Sequence, residues 1–325
     1  MREVNPNKVL LDKILRHIPI HIKPVNYLMD ILKLSKDSVY RRLKLEVSFT
    51  YEEAVVLAED LNFSLNHEDD SDNTGYIRLN IRKINTVPDA IQSFEDELKY
   101  ISDRIIQLNN SKYAEIIITK NRAHILPVEY HETLFRFFYF KWLHLLNVVP
   151  MDYTFGETAV PSNIVEYAKN QELIHNIENV TFIVDSNEFL NTIQEIQYFY
   201  RQGLIEAKDI QLLKADLIEK ITYEPRRLLK NTSHSTKYVK CYLSDFNLST
   251  NTMYTRDEYS EESLFWLYSI IPQHTACKEI CSYHRMWIED FKRYSTLITG
   301  SGGIVLSRYI SEQMEHVKNM DKIMC

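Results

Sequence analysis

The chain has 325 residues, 45% apolar and 26% charged, an ordinary globular composition that excludes wholesale disorder. Glycine is scarce at 6, three of them at Gly300, Gly302 and Gly303, which argues against a dinucleotide-binding fold and against an all-β fold rich in tight turns. No run approaches the roughly 18 unbroken apolar residues of a membrane span, and Met1 to Leu15 interleaves charges with its leucines. The four cysteines (Cys241, Cys277, Cys281, Cys325) are too few and irregular for a disulfide framework. A cytoplasmic protein with free thiols and no membrane contact is expected.

Charge is unevenly distributed. Residues 1–44 hold ten Lys/Arg against four Asp/Glu, a balance of +6 in a chain whose total is −7, so the remainder carries −13. A basic head on an acidic body suits a polyanion-binding module joined to a domain with another task.

In chain order, Val9 to Leu15 gives a first helix. Val25 to Leu32 has apolar residues at helical spacing behind Pro24, which a first helical turn tolerates. Ser35 then stands as N-cap to a helix from Lys36 to Lys44, whose aliphatics Val39 and Leu43 are four apart and face inward. A third run opens at Thr50, with Glu53 completing a capping box, and continues through Ala54, Leu57, Ala58 and Leu61. Short helix, turn, polar-faced helix and supporting helix is helix-turn-helix order.

The segments Leu28-Met-Asp-Ile-Leu-Lys-Leu-Ser-Lys-Asp-Ser-Val-Tyr-Arg-Arg-Leu43 and Thr50-Tyr-Glu-Glu-Ala-Val-Val-Leu-Ala-Glu-Asp-Leu-Asn-Phe-Ser-Leu65 together resemble the Cro/C1-type helix-turn-helix of bacterial and phage repressors. They are most similar to a group of bacterial regulators that join such a head to a long C-terminal region. In that group, Gln197 to Tyr200 with Gly203-Leu204, and Ser295 to Gly302, have loosely similar counterparts.

The resemblance implies that Lys36, Asp37 and Arg41 read bases in double-stranded DNA, with arginine suited to guanine O6 and N7. Ser38 also points outward, and Tyr40, Arg42 and Lys44, at the flanks, are expected on phosphates. Asp37 has a second use, complementing the helix dipole. Lys33 and Leu45 stand where the family usually has glycine. Lysine serves if the inter-helix turn avoids left-handed geometry, and Leu45 is expected to let the helix run on or end without a Schellman cap.

Asn66 to Gly75 is polar and acidic and reads as a linker. The expected organisation is a helix-turn-helix domain over 1–66, a linker over 67–75, and a mostly helical α+β sensor or dimerisation domain over 76–325. Within the last, Tyr76 to Ile84 alternates as a strand, Pro88 to Leu108 is an amphipathic helix, and Ala114 to Thr119 is a buried strand. Leu134 to Leu146 is a helix whose aromatics read as core, with a pocket wall as their lesser use. Ile164 to Ile177, Glu188 to Tyr200 and Glu206 to Lys230 carry helical spacing, with a strand at Asn179 to Val184. Tyr238 to Ser244, Met253 to Thr255 and Leu264 to Ile271 lean to β, and Thr275 to Thr299 closes as one helix.

Several signals carry little. His274, Cys277, Cys281 and His284 along one segment do not close a tetrahedral metal site. Gly300 to Gly303 follows an expected helix rather than the strand a phosphate loop requires. His17 and His21 are separated by Pro19, and Glu95, Asp96 and Glu97 fall on the polar side of a helix and are expected in water. No catalytic constellation emerges, so neither enzyme activity nor a cofactor is expected. The sequence suggests a DNA-binding transcription regulator, acting as a homodimer, with an effector as a candidate ligand of the body. The alternatives are a head that docks protein partners, or a body of helical repeats that senses peptides.

Overall fold

The computed structural model describes residues 5–18, 22–61, 65, 81, 83–123, 130–230, 238–248, 251–299 and 303–320. The chain divides into two units, Met1–Arg78 and Leu79–Cys325.

Four helices form the described part of the first unit: α1 (Pro6–His17), α2 (Pro24–Leu32), α3 (Lys36–Leu43) and α4 (Tyr51–Asp60). Proline opens both α1 and α2, where its missing N–H has no helical partner to lose. The Thr50–Glu53 capping box closes reciprocally at the start of α4. Leu11, Ile14, Leu28, Val39, Phe49 and Leu57 make the shared core.

Both glycine-type positions adopt left-handed backbone. Lys33 has φ 53° and Leu45 has φ 60°, so the condition set for lysine is not met, and the expectation that the helix runs on or ends without a Schellman cap at Leu45 is overturned. At Leu45 the Glu46 N–H donates to the Arg41 carbonyl at 2.9 Å and the Leu45 N–H to the Arg42 carbonyl at 2.9 Å. That pair of bonds is a Schellman cap, formed here on leucine. The leucine side chain packs against the unit's core, which offsets part of the left-handed penalty of roughly 1–2 kcal/mol.

In the second unit a mixed sheet of seven described strands runs in the order β6-β5-β4-β1-β2-β3-β7. Its centre is β1 (Ala114–Lys120), parallel to β2 (Asn179–Asp185), which is parallel to β3 (Tyr238–Ser244). β4 (Thr252–Asp257), β5 (Glu261–Leu267) and β6 (Ile271–Thr275) extend one side as an antiparallel meander, and β7 (Ser295–Leu297) pairs antiparallel with β3. Three consecutive isoleucines suit β1 because both its faces are covered. Ile116 and Ile118 join one core and Ile117 joins another.

Helix α5 (Val87–Asn109) spans two environments: Ala90, Phe94 and Leu98 enter an all-helical core, while Ile101, Ile105 and Leu108 lie on the sheet. The helical core is completed by α6 (Glu132–Leu145), α7 (Ser162–Asn170), α8 (Glu188–Arg201) and α9 (Ala207–Lys230). The opposite sheet face carries α10 (Lys278–Arg293), and α11 (Gly303–Lys318) packs against α8 and α9. No described helix is long and apolar enough to cross a membrane.

Three boundaries differ from expectation. The β-leaning run at Leu264 to Ile271 is interrupted by a hairpin turn with Tyr268 at φ 54° and Ser269 at φ 63°, closed by the Ile270 N–H on the Leu267 carbonyl at 3.1 Å. This turn lacks the glycine or asparagine that would mark it in a sequence. Thr275 to Thr299 is not one helix, because Ser295–Leu297 leaves it to pair with β3. Ile164 to Ile177 is α7 followed by a 3-10 turn at Gln171–Asn176. The sheet also displaces the helical-repeat alternative. The expected strand at Tyr76 to Ile84 falls largely outside the described residues, and Ile81, Lys83 and Ile84 are in no strand. The linker, His21, Cys325 and Gly300 to Gly302 also lie outside them.

Candidate nucleic-acid interface

Helix α3 is short and two-sided. Ser35 caps it, its Oγ accepting the Ser38 N–H at 3.4 Å and lying 3.0 Å from the Ser38 hydroxyl. Val39 is fully buried and Leu43 packs on the same core. On the other side Lys36, Asp37, Tyr40, Arg41 and Lys44 are exposed, with Ser38 half-buried beside its cap. The Lys36 ammonium lies 6.0 Å from the centre of the Tyr40 ring, a loose cation–π contact on the surface. Asp37 occupies the first turn, where a carboxylate complements the helix dipole.

Arg42 has a different place from the one expected. Its Nε donates to Glu53 Oε2 at 2.8 Å and its Nη2 to Glu53 Oε1 at 2.6 Å, while Nη1 donates to the Ser38 carbonyl at 3.2 Å. The Arg42 side chain is 12% exposed. A fork-to-fork pair of this kind fixes α3 against the start of α4, and it competes with any phosphate for the same donors. The sequence showed Glu53 only as half of a capping box. It does both: Oε2 also accepts the Thr50 N–H at 3.0 Å.

Helix α2 is tied to α4 by the Tyr27 hydroxyl, which donates to the Asp60 carboxylate. Burial and that carboxylate push the Tyr27 phenol up to about 12. The turn from α2 to α3 is therefore supported from behind by α4, and α3 is held at its cap, its apolar face and its last turn. The exposed cations Lys36, Arg41 and Lys44 stand on a rigid base.

Other chemistry-bearing groups fall elsewhere. His274 stacks on Tyr100 with ring centres 4.0 Å apart, on the α5 side of the sheet, whereas Cys281 and His284 belong to α10 and meet the sheet from the other side. His284 bonds Ser263 at 3.0 Å and Thr252 at 2.8 Å, and burial lowers its pKa to about 4. Glu97 corrects the expectation of a solvated carboxylate. It is buried, accepts the Trp266 indole N–H at 2.6 Å, and burial raises its pKa to about 8.

Among the described residues, His131, Asp216 and Glu219 bring one ligand atom each within 4.8 Å of one another, as a cation site would. The arrangement has a structural use already. Asp216 accepts the Leu134 N–H at 2.8 Å and so caps α6, where His131, the N-cap residue, makes no side-chain cap bond. The aromatics of α6 are core: Phe94 and Tyr139 meet at 5.1 Å, and Phe140 and Phe199 at 4.9 Å.

No protein-family model, curated protein or solved structure matches the chain.

Proposed function

We propose that the protein is a sequence-specific, double-stranded-DNA-binding transcription regulator whose α3 enters the major groove, with the α+β body serving dimerisation or effector sensing. One observation carries the reading: α3 buries Val39 and leaves Lys36, Asp37, Tyr40, Arg41 and Lys44 in solvent, on a head whose first 44 residues carry +6. Arg41 and Lys36 are the base readers, Asp37 reads a cytosine amino group or orients Arg41, and Tyr40 and Lys44 meet phosphate. Ser38 supports the cap, and Arg42 positions α3 through Glu53 rather than touching phosphate itself.

Selection of bound sequences from random duplex DNA by the full-length protein tests this. A palindromic motif is expected for a homodimer, with affinity falling steeply as salt rises. Arg41→Ala should weaken the selected site by about 10- to 100-fold and relax one base position, whereas Lys44→Ala should weaken all sequences alike and lower the salt slope by about 1. No enrichment at low salt, or enrichment unchanged in a Lys36→Ala/Arg41→Ala double mutant, overturns the reading.

A further inference from the structure

Like charges three or four residues apart on a helix destabilise it unless something of opposite sign offsets them. Asp216 and Glu219 stand three apart on one face of α9, beside the start of α6. Among the described residues their partners are the Leu134 N–H, for Asp216, and His131, for Glu219, so neither carboxylate forms an ion pair with a lysine or an arginine there.

His131 makes the group more than a pair of acids. It is the N-cap residue of α6, its side chain is 7% exposed, and its Nδ1 faces Glu219 Oε2 at 3.7 Å. That gap is longer than a hydrogen bond and close to the spacing of two atoms that share one ion, since ligand bonds of about 2.0–2.1 Å give a tetrahedron edges of about 3.4 Å. The three ligand atoms lie within 4.8 Å of one another. Closing to the tetrahedral spacing takes a shift of about 1 Å. Glu219, whose side chain is 56% exposed, makes that shift by turning. Asp216 is already held. The Leu134 N–H donates to its Oδ2 at 2.8 Å, the kind of bond that orients a ligating carboxylate, and the carboxylate keeps other lone pairs for an ion.

Charge at this place favours a dication. Glu132, in the first turn of α6, adds a third carboxylate nearby, and after burial it is Glu132 and Asp216 that raise the Tyr130 phenol. Three carboxylates outweigh the partial positive charge, about half a unit, of the α6 N-terminus. One imidazole with two carboxylates and no thiolate suits Zn²⁺ and its first-row neighbours, whereas Mg²⁺ and Ca²⁺ take oxygen donors. We propose that His131, Asp216 and Glu219 bind one divalent transition ion of the Zn²⁺ class, which ties the start of α6 to α9 and leaves its remaining coordination position to solvent. The inference stands on the body alone and does not depend on DNA binding by the head.

The test uses the full-length chain stripped of metal, with Zn²⁺ delivered in competition with a chelating dye. The unmodified chain should take up one equivalent, and should melt about 5 °C higher when free Zn²⁺ is about 100 times its Kd. Co²⁺ in its place should absorb in the visible without the near-ultraviolet charge-transfer band of a thiolate ligand, which separates this site from Cys277 and Cys281. Glu219→Gln and Asp216→Asn should each weaken Zn²⁺ binding by at least about 100-fold, and asparagine retains an acceptor for the Leu134 N–H. If Asp216→Asn does not fold, the variant at exposed Glu219 decides alone. Millimolar Mg²⁺ should not displace Zn²⁺. No uptake by the unmodified chain, a thiolate band with Co²⁺, or uptake unchanged in Glu219→Gln overturns the site, and displacement by Mg²⁺ overturns the transition-ion class.

Discussion

Two arginine–carboxylate pairs show how differently the units use charge. In the head, Arg42 meets Glu53 at 2.6 Å with 12% of its side chain in water. In the body, Arg104 on α5 meets Asp257 at 2.7 Å with 2% exposed, and its Nε donates to Thr255 at 2.9 Å. Burial alone would raise the Asp257 carboxyl, but the backbone N–H groups of Tyr259 and Ser260 and the Arg104 guanidinium hold it below the usual range. The head keeps its remaining α3 cations outside, available to a polyanion. The body places charges inside and neutralises them there, as with Lys120 and Glu188 and with the protonated Glu97 under Trp266. The part-buried pair of the head fixes one helix at a smaller desolvation cost, whereas the fully buried pair is a commitment that neither partner can leave.

The sharpest way to break this comparison is to remove each arginine. Arg104→Ala should destabilise the body by about 3–5 kcal/mol, because Asp257 is left charged and enclosed. Arg42→Ala should cost the head about 1–3 kcal/mol, since Glu53 can turn to water and keep its Thr50 bond. Urea unfolding of the full chain, followed by probes in each unit, measures both. Equal losses would erase the distinction.

A pH series sharpens it next. Glu97 has a folded pKa of about 8 against an ordinary 4.5, so its contribution is fully present below 4.5 and is lost as pH rises through about 8. His284 runs the other way: its folded pKa of about 4 lies below the ordinary 6.5, so stability is lost as pH falls from 6.5 to 4. The body should therefore be most stable between these limbs, near pH 5–6, and Glu97→Gln should flatten the alkaline limb by a few kcal/mol while sparing the acid one. An alkaline limb unchanged in that variant contradicts the burial argument. The smallest effect belongs to the head: Lys33→Gly, at an exposed residue with φ 53°, should stabilise by about 0.5–1 kcal/mol in thermal unfolding. A loss of stability there would mean that the lysine makes a contact that outweighs its backbone strain.

The head was legible because its signals are local. Capping residues, Pro24 and the Val39–Leu43 spacing act within a few residues, so the helices and the outward face of α3 follow from the chain order alone. The buried strand β1 was legible for a similar reason, since a strand enclosed on both faces needs an unbroken apolar run and Ile116 to Ile118 supply one. What interaction each polar residue makes was not legible. Arg42 reads as a phosphate contact until Glu53, 11 residues on, is brought against it. Glu97 reads as solvated until Trp266, 169 residues away, covers it.

The tertiary structure alone decided the sheet order, the departure of Ser295–Leu297 from the expected helix, and the buried cluster of Lys120, Glu188 and Tyr309. The last two of its members are 121 residues apart. No periodicity links residues so distant, because their meeting depends on how β1, α8 and α11 close around a common core. Left-handed Lys33 and Leu45 make the same point at short range: propensity asked for glycine, and the packing of α2, α3 and α4 imposed the turn without it.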